Sequence, residues 1–172
     1  MTRKVQNRID ELIEGFETAM LVTHSLEGEL RARPMAIARR DAGGMLYFTT
    51  RSDDEKLEEV LQSSNVAVTL QAEDHYVSLS GRARVETDLQ LAKDLWTPAM
   101  RAWFPDGYRD KEYTVILVEP TYVEYWDRSG LRKLEVLWET GKAIVKGERA
   151  EDENLGGHAK LRFEDNEAKP QI

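Results

Sequence analysis

The chain has 172 residues, of which 41% are hydrophobic and 33% are charged, and its formal net charge is −8 with a pI near 5.0. This length and composition predict one globular domain with its own hydrophobic core. The acidic balance disfavours binding to nucleic acid or to anionic lipid, because both require a basic protein surface. The absence of cysteine excludes disulfides, thiolate catalysis, iron–sulfur clusters and zinc–thiolate sites.

The sequence gives no sign of a metal site or of a membrane segment. The three histidines are scattered and do not have the spacing of metal ligands. The N-terminal residues are charged throughout and lack the continuous apolar stretch of a signal peptide. Apolar runs elsewhere reach only about five residues, whereas a membrane-spanning helix needs roughly 20. We therefore expect a cytoplasmic protein without membrane or nucleic-acid partners.

Hydrophobic periodicity predicts an N-terminal amphipathic helix followed by a series of strands. The helix is predicted at residues 3–18. The predicted strands are 19–26, 31–39, 45–50, 66–72, 76–86, 113–119 and 121–127, with helices at 53–62 and 88–96. Glycine-containing turns join the first three strands into an antiparallel meander. Pro120 predicts a bend or bulge between the last two strands.

Six or seven short antiparallel strands with a few helices predict a mainly β (α+β) fold, namely a small β-barrel with flanking helices. Residues 1–147 are assigned to this domain. Residues 133–146 allow a helix that Gly141 would weaken. Residues 148–172 are polar and lose periodicity, which predicts a weakly ordered C-terminal tail.

The segment from Arg31 to Leu61 carries the strongest functional signal. Arg33 lies on one predicted strand, the next strand ends in Thr49-Thr50, and Ser52 precedes a helix whose first turn includes Lys56. Hydroxyls and free backbone N–H groups at a helix start, with Lys and Arg within reach, suit a phosphate dianion. The neighbouring strand surfaces suit the flat ring of a nucleotide. The pattern predicts binding of flavin mononucleotide (FMN).

Several of these residues also have purely structural interpretations. Ser52 and Glu55 fit a capping box, which for an isolated pattern of this kind is the favoured reading. Lys56 taken alone is equally well explained as a solvated helix residue paired with Glu59 or Asp53.

Some of the charges around the predicted phosphate site favour a bound phosphate, and others oppose it. The acidic run 53–55 complements the dipole of the helix N-terminus, but it also competes with a bound phosphate. Arg31 and Arg33 lie on the same strand face, which is costly unless they are solvated or share an anion. The arginine pair therefore supports a ligand without proving one.

An aromatic segment follows the third predicted helix, and its large apolar residues are Trp96, Met100, Trp103 and Phe104. The segment is too apolar for a loop on a free monomer. It predicts burial by a second copy of the chain, and hence a homodimer.

The chain resembles the pyridoxamine 5'-phosphate oxidase-like split-barrel flavoproteins, and among them the bacterial general stress proteins, over roughly residues 5–147. The resemblance rests on an Arg-Pro-Met strand at 33–35, Tyr-Phe-Thr-Thr at 47–50 before the helix with Lys56, Ser-Leu-Ser-Gly-Arg-Ala at 78–83, and Glu-Tyr-Trp-Asp at 124–127. It implies a split β-barrel that binds FMN in clefts at a homodimer interface.

The resemblance also implies roles for individual residues. Arg33 would lie beneath the flavin, near its phosphate or the N1–O2 side of its ring. Lys56 would bind the phosphate, and Tyr76 would make a polar contact to the flavin. Trp126 would close over the flavin from the other subunit, although an aromatic residue at a strand end is more often core or interface. The remaining contacts implied are backbone groups of Pro34, Met35 and Ala36 along the ring, and Phe48 and Thr49 at the ribityl chain and ring.

Two departures from the oxidase pattern bear on activity. The oxidases place an Arg before the phosphate-binding Lys, whereas this chain has Glu55, so that charge would come from elsewhere, with Arg51 as the candidate. The oxidases also carry an Arg-x-His motif after the position of Trp126, and His158 here is followed by Ala159-Lys160 instead. We therefore expect no oxidation of pyridoxine phosphate.

The leading hypothesis is an FMN-binding flavoprotein of the general stress type, either a weak oxidoreductase or a flavin-responsive binding module. No catalytic residue is identified, and none is required, because a flavin carries hydride chemistry on its own ring. FAD remains open, since it shares the ring and the first phosphate. The alternative is a non-enzymatic dimeric split barrel that serves as an interaction module and has lost flavin or uses a deazaflavin.

Overall fold

The computed structural model describes residues 2–127 and 157–162. The helices are α1 (Thr2–Glu14), α2 (Glu55–Gln62) and α3 (Leu89–Leu95), with 3-10 helices at Pro98–Ala102 and Gly107–Arg109. The strands are β1 (Thr18–His24), β2 (Leu30–Asp41), β3 (Met45–Arg51), β4 (Asn65–Gln71), β5 (His75–Glu86), β6 (Tyr113–Asp127) and β7 (Gly157–Arg162). None of the helices in these two ranges is long and apolar enough to cross a membrane.

The strands form an antiparallel barrel, as the sequence predicts. Their order is β3-β2-β1-β4-β5-β6-β7, and additional pairing of β3 with β6 closes the first six strands into a ring. The long strand β6 pairs with two different strands along the same edge. Its first half pairs with β3 through Tyr113–Val118, and its second half pairs with β7 through Tyr122–Asp127. The described part of the chain is thus a closed six-stranded barrel with one extra strand.

Two hydrophobic clusters hold the barrel together. The larger one fills the interior, where the apolar face of α1, including Ile9 and Ile13, joins inward residues such as Phe48, Leu79 and Ile116. The smaller one lies outside the wall formed by β3 and β6. Its buried members are Tyr47, Leu95, Phe104, Tyr113, Val115 and Leu117.

The second cluster corrects one expectation about the aromatic segment. Phe104 is buried within the chain and its ring meets that of Tyr113 edge-on, with centroids 4.9 Å apart. Trp96 and Met100 pack against the same cluster. Trp103 remains exposed at 63%. A second chain is therefore not needed to cover most of this segment, because α3 and the barrel wall cover it.

The predicted strands agree closely with those observed, and the differences have local causes. The N-terminal helix ends at Glu14 rather than 18, with a turn at Gly15 before β1 begins. The two strands predicted around Pro120 form one strand, with a register shift at Ser80/Gly81 opposite it. Strand β7 lies within the segment assigned to a polar tail. The ambiguous segment 133–146 lies outside the described residues.

We predict that Gly81→Ala destabilises the protein. A Cβ built at Gly81 would lie 2.3 Å from the backbone oxygen of Glu119, which is closer than real Cβ contacts allow, so a strand must shift. The expected loss is about 1–3 kcal/mol in the free energy of unfolding. Urea denaturation measures it. Gly15→Ala is the control, since a Cβ there meets nothing within 4 Å, and an equal loss in both variants would contradict the steric explanation.

Candidate functional site

The barrel opens between β2 and β3, and we call this opening the split. The two strands pair only as far as Ile37 opposite Phe48. Beyond that point, residues 30–36 of β2 stay with β1, while residues 49–51 of β3 stay with β6. Helix α2 begins four residues after β3 ends. The split is therefore bordered by most of the residues that the sequence assigns to the flavin.

Arg33 lies at the split and is bound by a buried carboxylate of α2. Its guanidinium donates two hydrogen bonds to Glu59, at 2.7 and 2.9 Å, and a third to the Thr23 hydroxyl at 2.9 Å. Thr23 in turn donates to Glu59 at 2.6 Å. The hydrogen bonds from Arg33 lower the pKa of Glu59, outweighing the opposite effect of burial. Glu59 is only 1% exposed, so it is a buried anion fully occupied by its own chain.

Lys56 is the second cation at the split, and it too has internal partners. Its side chain is 8% exposed. The ammonium donates to the Thr50 hydroxyl at 3.0 Å and pairs with Asp54. The sequence prediction that Lys56 and Thr50 come together is consistent with this geometry, whereas the alternative pairings with Asp53 or Glu59 are not the ones observed.

The outer arginines are also paired with carboxylates. Arg31 bridges Glu55 and Glu59 at 3.2 and 3.3 Å. Arg51, considered above as a substitute phosphate ligand, binds Asp53 at 2.9 Å and Glu112 at 2.6 Å. The cations predicted from the sequence thus cluster at the split, but each one contacts at least one acidic side chain.

The capping box predicted at Ser52 is wrong. The N-cap of α2 is Asp54, whose side chain accepts a hydrogen bond from the Lys56 backbone N–H at 3.2 Å. The Ser52 hydroxyl instead donates to the backbone oxygen of Lys111 at 3.2 Å. Both Ser and Asp are good N-cap residues. Because Ser52 is tied to the loop before β6, the helix starts two residues later than predicted.

Side chains on β2 and β3 alternate between the core and the outer face, which limits what each can offer a ligand. Phe48 is fully buried in the barrel core, and Met35 is also buried there. Pro34 and Ala36 are exposed, and Thr49 is half-buried. Phe48 and Met35 can therefore approach a ligand only through their backbone.

Tyr76 and Trp126 lie together, but away from the split. They are directly opposite each other on β5 and β6. Along β2-β1-β4-β5-β6, four strand steps separate Pro34 from Trp126, which is about 19 Å at the usual strand spacing. Strand β3 pairs with β6 only at the other half of β6, over Tyr113–Val118. The Trp126 ring stacks on His158 of β7, with centroids 5.4 Å apart and planes at 12°. His158 is a neighbour that sequence reasoning missed, because it lies in a polar segment without a strand pattern.

An exposed face of small and apolar side chains connects these two regions. Pairing places Pro34 of β2 opposite Met20 of β1, Met20 opposite Thr69 of β4, and Thr69 opposite Ser78 of β5. The neighbouring row contains Ala32, Val22, Ala67 and Ser80. We call these two rows the outer face.

The hydrogen-bond donors at the split are of the kinds that bind the phosphate of a flavin. A guanidinium, a buried ammonium and a hydroxyl converge beside strand backbone that has no strand partner on that side among the described residues. This is the donor chemistry that phosphates bind. The carboxylates of Glu59 and Asp54, which already pair with Arg33 and Lys56, oppose it.

Comparison with known proteins assigns the family. A model of the pyridoxamine 5'-phosphate oxidase-like family matches residues 4–151. The chain belongs to this family. The resemblance derived from the Arg-Pro-Met and Tyr-Phe-Thr-Thr strands is thereby confirmed, and so is its split-barrel fold.

Two curated relatives match part of the chain. Protein bli-3 of Neurospora crassa is 27% identical over 131 residues, covering 69% of this chain and 63% of the relative. General stress protein 26 of Bacillus subtilis is 28% identical over 83 residues, covering 45% of this chain and 59% of the relative. The chain therefore spans about three-fifths of the length of these relatives.

Solved structures show the same fold at low identity. A protein of Jannaschia sp. CCS1, assigned to general stress protein 26, superposes with a TM-score of 0.75 at 21% identity and covers 94% of this chain and 99% of its own. The general stress FMN/FAD binding protein of Xanthomonas citri gives a TM-score of 0.63 at 21% identity, covering 87% of this chain and 99% of its own.

We predict that Glu59→Gln destabilises the protein at neutral pH. The lowered pKa of Glu59 means that its ionised form stabilises the fold above its ordinary pKa of 4.5, and that this contribution is lost as pH falls through the lower folded-state value. Removing the charge should cost about 1.5–3 kcal/mol at pH 7. The difference from wild type should shrink towards pH 3.

Urea denaturation at several pH values measures this effect. Glu58→Gln is the matched control, because Glu58 is exposed on the same helix and its substitution should change stability by less than about 0.5 kcal/mol. A Glu59→Gln variant as stable as the control at pH 7 would show that the buried pair does not anchor α2.

Proposed function

We propose that this chain is an FMN-binding flavoprotein of the general stress type. The observation that carries the proposal is the convergence of Arg33, Lys56 and the Thr50 hydroxyl at the split, beside the exposed Pro34 and Ala36. In this proposal Lys56 and Arg33 bind the phosphate, and the backbone of residues 34–36 lies along the edge of the ring.

The relatives support flavin as the ligand class. One structural neighbour is described as an FMN/FAD binding protein, and another from Nostoc punctiforme as FMN binding. A bound flavin would supply hydride transfer on its own ring. The residues of this chain would then bind and orient it, and the proposed activity is that of a weak flavin-dependent oxidoreductase without pyridoxine-phosphate oxidase activity.

The distance between the two halves of the predicted site supports a homodimer. Along the same side of the sheet, Tyr76 lies three strand steps from Pro34 and Trp126 lies four. One chain does not bring them to its own split, whereas a two-fold partner packed on the outer face would bring its Trp126 towards it. The small side chains of that face, such as Ala32 and Ala67, allow close approach of a second sheet.

A second candidate is a split-barrel dimer that has lost flavin. The ion pairs of Arg33 with Glu59 and of Lys56 with Asp54 favour it, because they satisfy the cations without a ligand. Quenching of FMN fluorescence by the purified protein separates the two candidates. Colourless protein that fails to quench added FMN would support the second.

We predict that Lys56→Met weakens FMN binding by about 10- to 100-fold, which is the value of one charge-assisted hydrogen bond. Methionine keeps the buried stem of the side chain and removes only the ammonium. Riboflavin, which lacks the phosphate, should bind both proteins alike. Fluorescence titration with the two ligands measures the difference.

Lys93→Met is the control for overall charge, since Lys93 is exposed on α3. Equal losses of FMN and riboflavin in the Lys56 variant, or the same FMN loss in the Lys93 variant, would place the phosphate elsewhere.

We predict that Met20→Glu converts the protein to a monomer of about 20 kDa and weakens flavin binding, because it places a charge at the centre of the outer face. Light scattering coupled to gel filtration gives the mass, and FMN titration gives the affinity. Leu89→Glu is the control, because Leu89 is exposed at 62% on α3. A monomeric Met20 variant with undiminished FMN affinity would refute a shared site.

A further inference from the structure

The carboxylate of Asp54 occupies the position that a phosphate would use at the start of α2. One of its oxygens accepts a hydrogen bond from the Lys56 backbone N–H at 3.2 Å, and the other pairs with the Lys56 ammonium. The second oxygen also lies 3.5 Å from the Thr50 hydroxyl. A free N–H at a helix start, a lysine and a hydroxyl are the groups that hold a phosphate in proteins. Here all three already contact an anion of the same chain.

The contact between Asp54 and Lys56 is buried on the lysine side and partly exposed to solvent on the aspartate side. The Lys56 side chain is 8% exposed, so its ammonium has little water to replace a lost partner, whereas that of Asp54 is 33% exposed. Any anion that reaches Lys56 must therefore share it with Asp54 or displace Asp54 into solvent. Displacement is feasible for a group that is already one-third exposed.

Asp54 also keeps its charge at neutral pH. Burial alone would raise its pKa, but the hydrogen bonds from Lys56 and the attraction of Lys56 and Arg33 lower it below the ordinary value. The charge of Arg33 is balanced in turn by Glu59. The two cations of the split therefore face two carboxylates, which leaves no net positive charge for a phosphate monoester carrying nearly two negative charges.

We propose that Asp54 is a specificity-determining residue that competes with the flavin phosphate. Its charge lowers the affinity of the site for a flavin that carries a dianionic phosphate monoester. The proposal rests on the flavin site proposed above. It implies that FMN gains less from its phosphate here than the cations alone would give. A flavin whose first phosphate carries one charge because it is joined to a second phosphate, as in FAD, is penalised less, and riboflavin is not penalised.

The test compares Asp54→Asn with wild type in titrations of FMN, FAD and riboflavin. Asparagine removes the charge but caps a helix as well as aspartate does, so α2 should stay intact, which thermal unfolding checks. We expect FMN to bind the variant about tenfold or more tightly than wild type, on the scale of one charge-assisted contact. FAD should gain less, and riboflavin should change by less than about twofold.

Asp53→Asn is the matched control, since it removes the same charge one residue away. Asp53 pairs with Arg51, and Arg51 also contacts Glu112 at 2.6 Å, so that Arg51 retains an acidic partner in the variant. The control should leave all three affinities unchanged.

An equal FMN gain in both variants would show a long-range charge effect and overturn the role of Asp54. So would an Asp54 variant that binds FMN like wild type. If neither wild type nor the two variants bind any of the three flavins, the proposed function itself fails, and this inference fails with it.

Discussion

The buried pair between Arg33 and Glu59 joins the parts of the molecule that form the candidate site. A carboxylate that is 1% exposed must be paired, because an isolated buried charge costs several kcal/mol. Glu59 meets this requirement with Arg33 on β2 and Thr23 on β1. These contacts fix α2 across the end of the barrel, and Lys56, one turn earlier on the same helix, is thereby fixed beside Thr50.

The same pair keeps α2 close to β2 where the barrel opens. Strands β2 and β3 part after Ile37 and Phe48, and polar groups rather than a strand ladder occupy the space beyond. In the proposed function, this opening receives a phosphorylated ring compound, because cations, hydroxyls and the edges of β2 and β3 that do not pair with each other line it. The cations at the split need partners in the free protein, and this need explains why acidic residues lie beside them.

Much of the fold could be predicted from the sequence, because strand alternation and turn glycines are local signals. The strand ending at Thr50, the helix predicted at 88–96 and the irregularity at Pro120 all follow from such signals. Strand β7 could not be predicted, because Leu161 is its only large apolar residue and its pairing partner is distant in the chain. The aromatic segment was misjudged because its cover, α3, is held against the barrel by long-range contacts.

The sequence predicts which residues lie at the candidate site, but not which acidic side chain pairs with which cation. The sequence places Arg33, Thr50 and Lys56 near one helix start, yet three acidic residues precede or begin that helix, and only geometry selects Asp54 as the partner of Lys56. Likewise, the pattern does not reveal that Phe48 points into the core while Pro34 and Ala36 face outward.

Native mass spectrometry of the purified protein with added FMN tests the central claim most directly, because it reports ligand and assembly together. The account predicts a species of two chains carrying two FMN molecules. Single chains with bound FMN, or two chains without any, would contradict a flavin site shared across a homodimer.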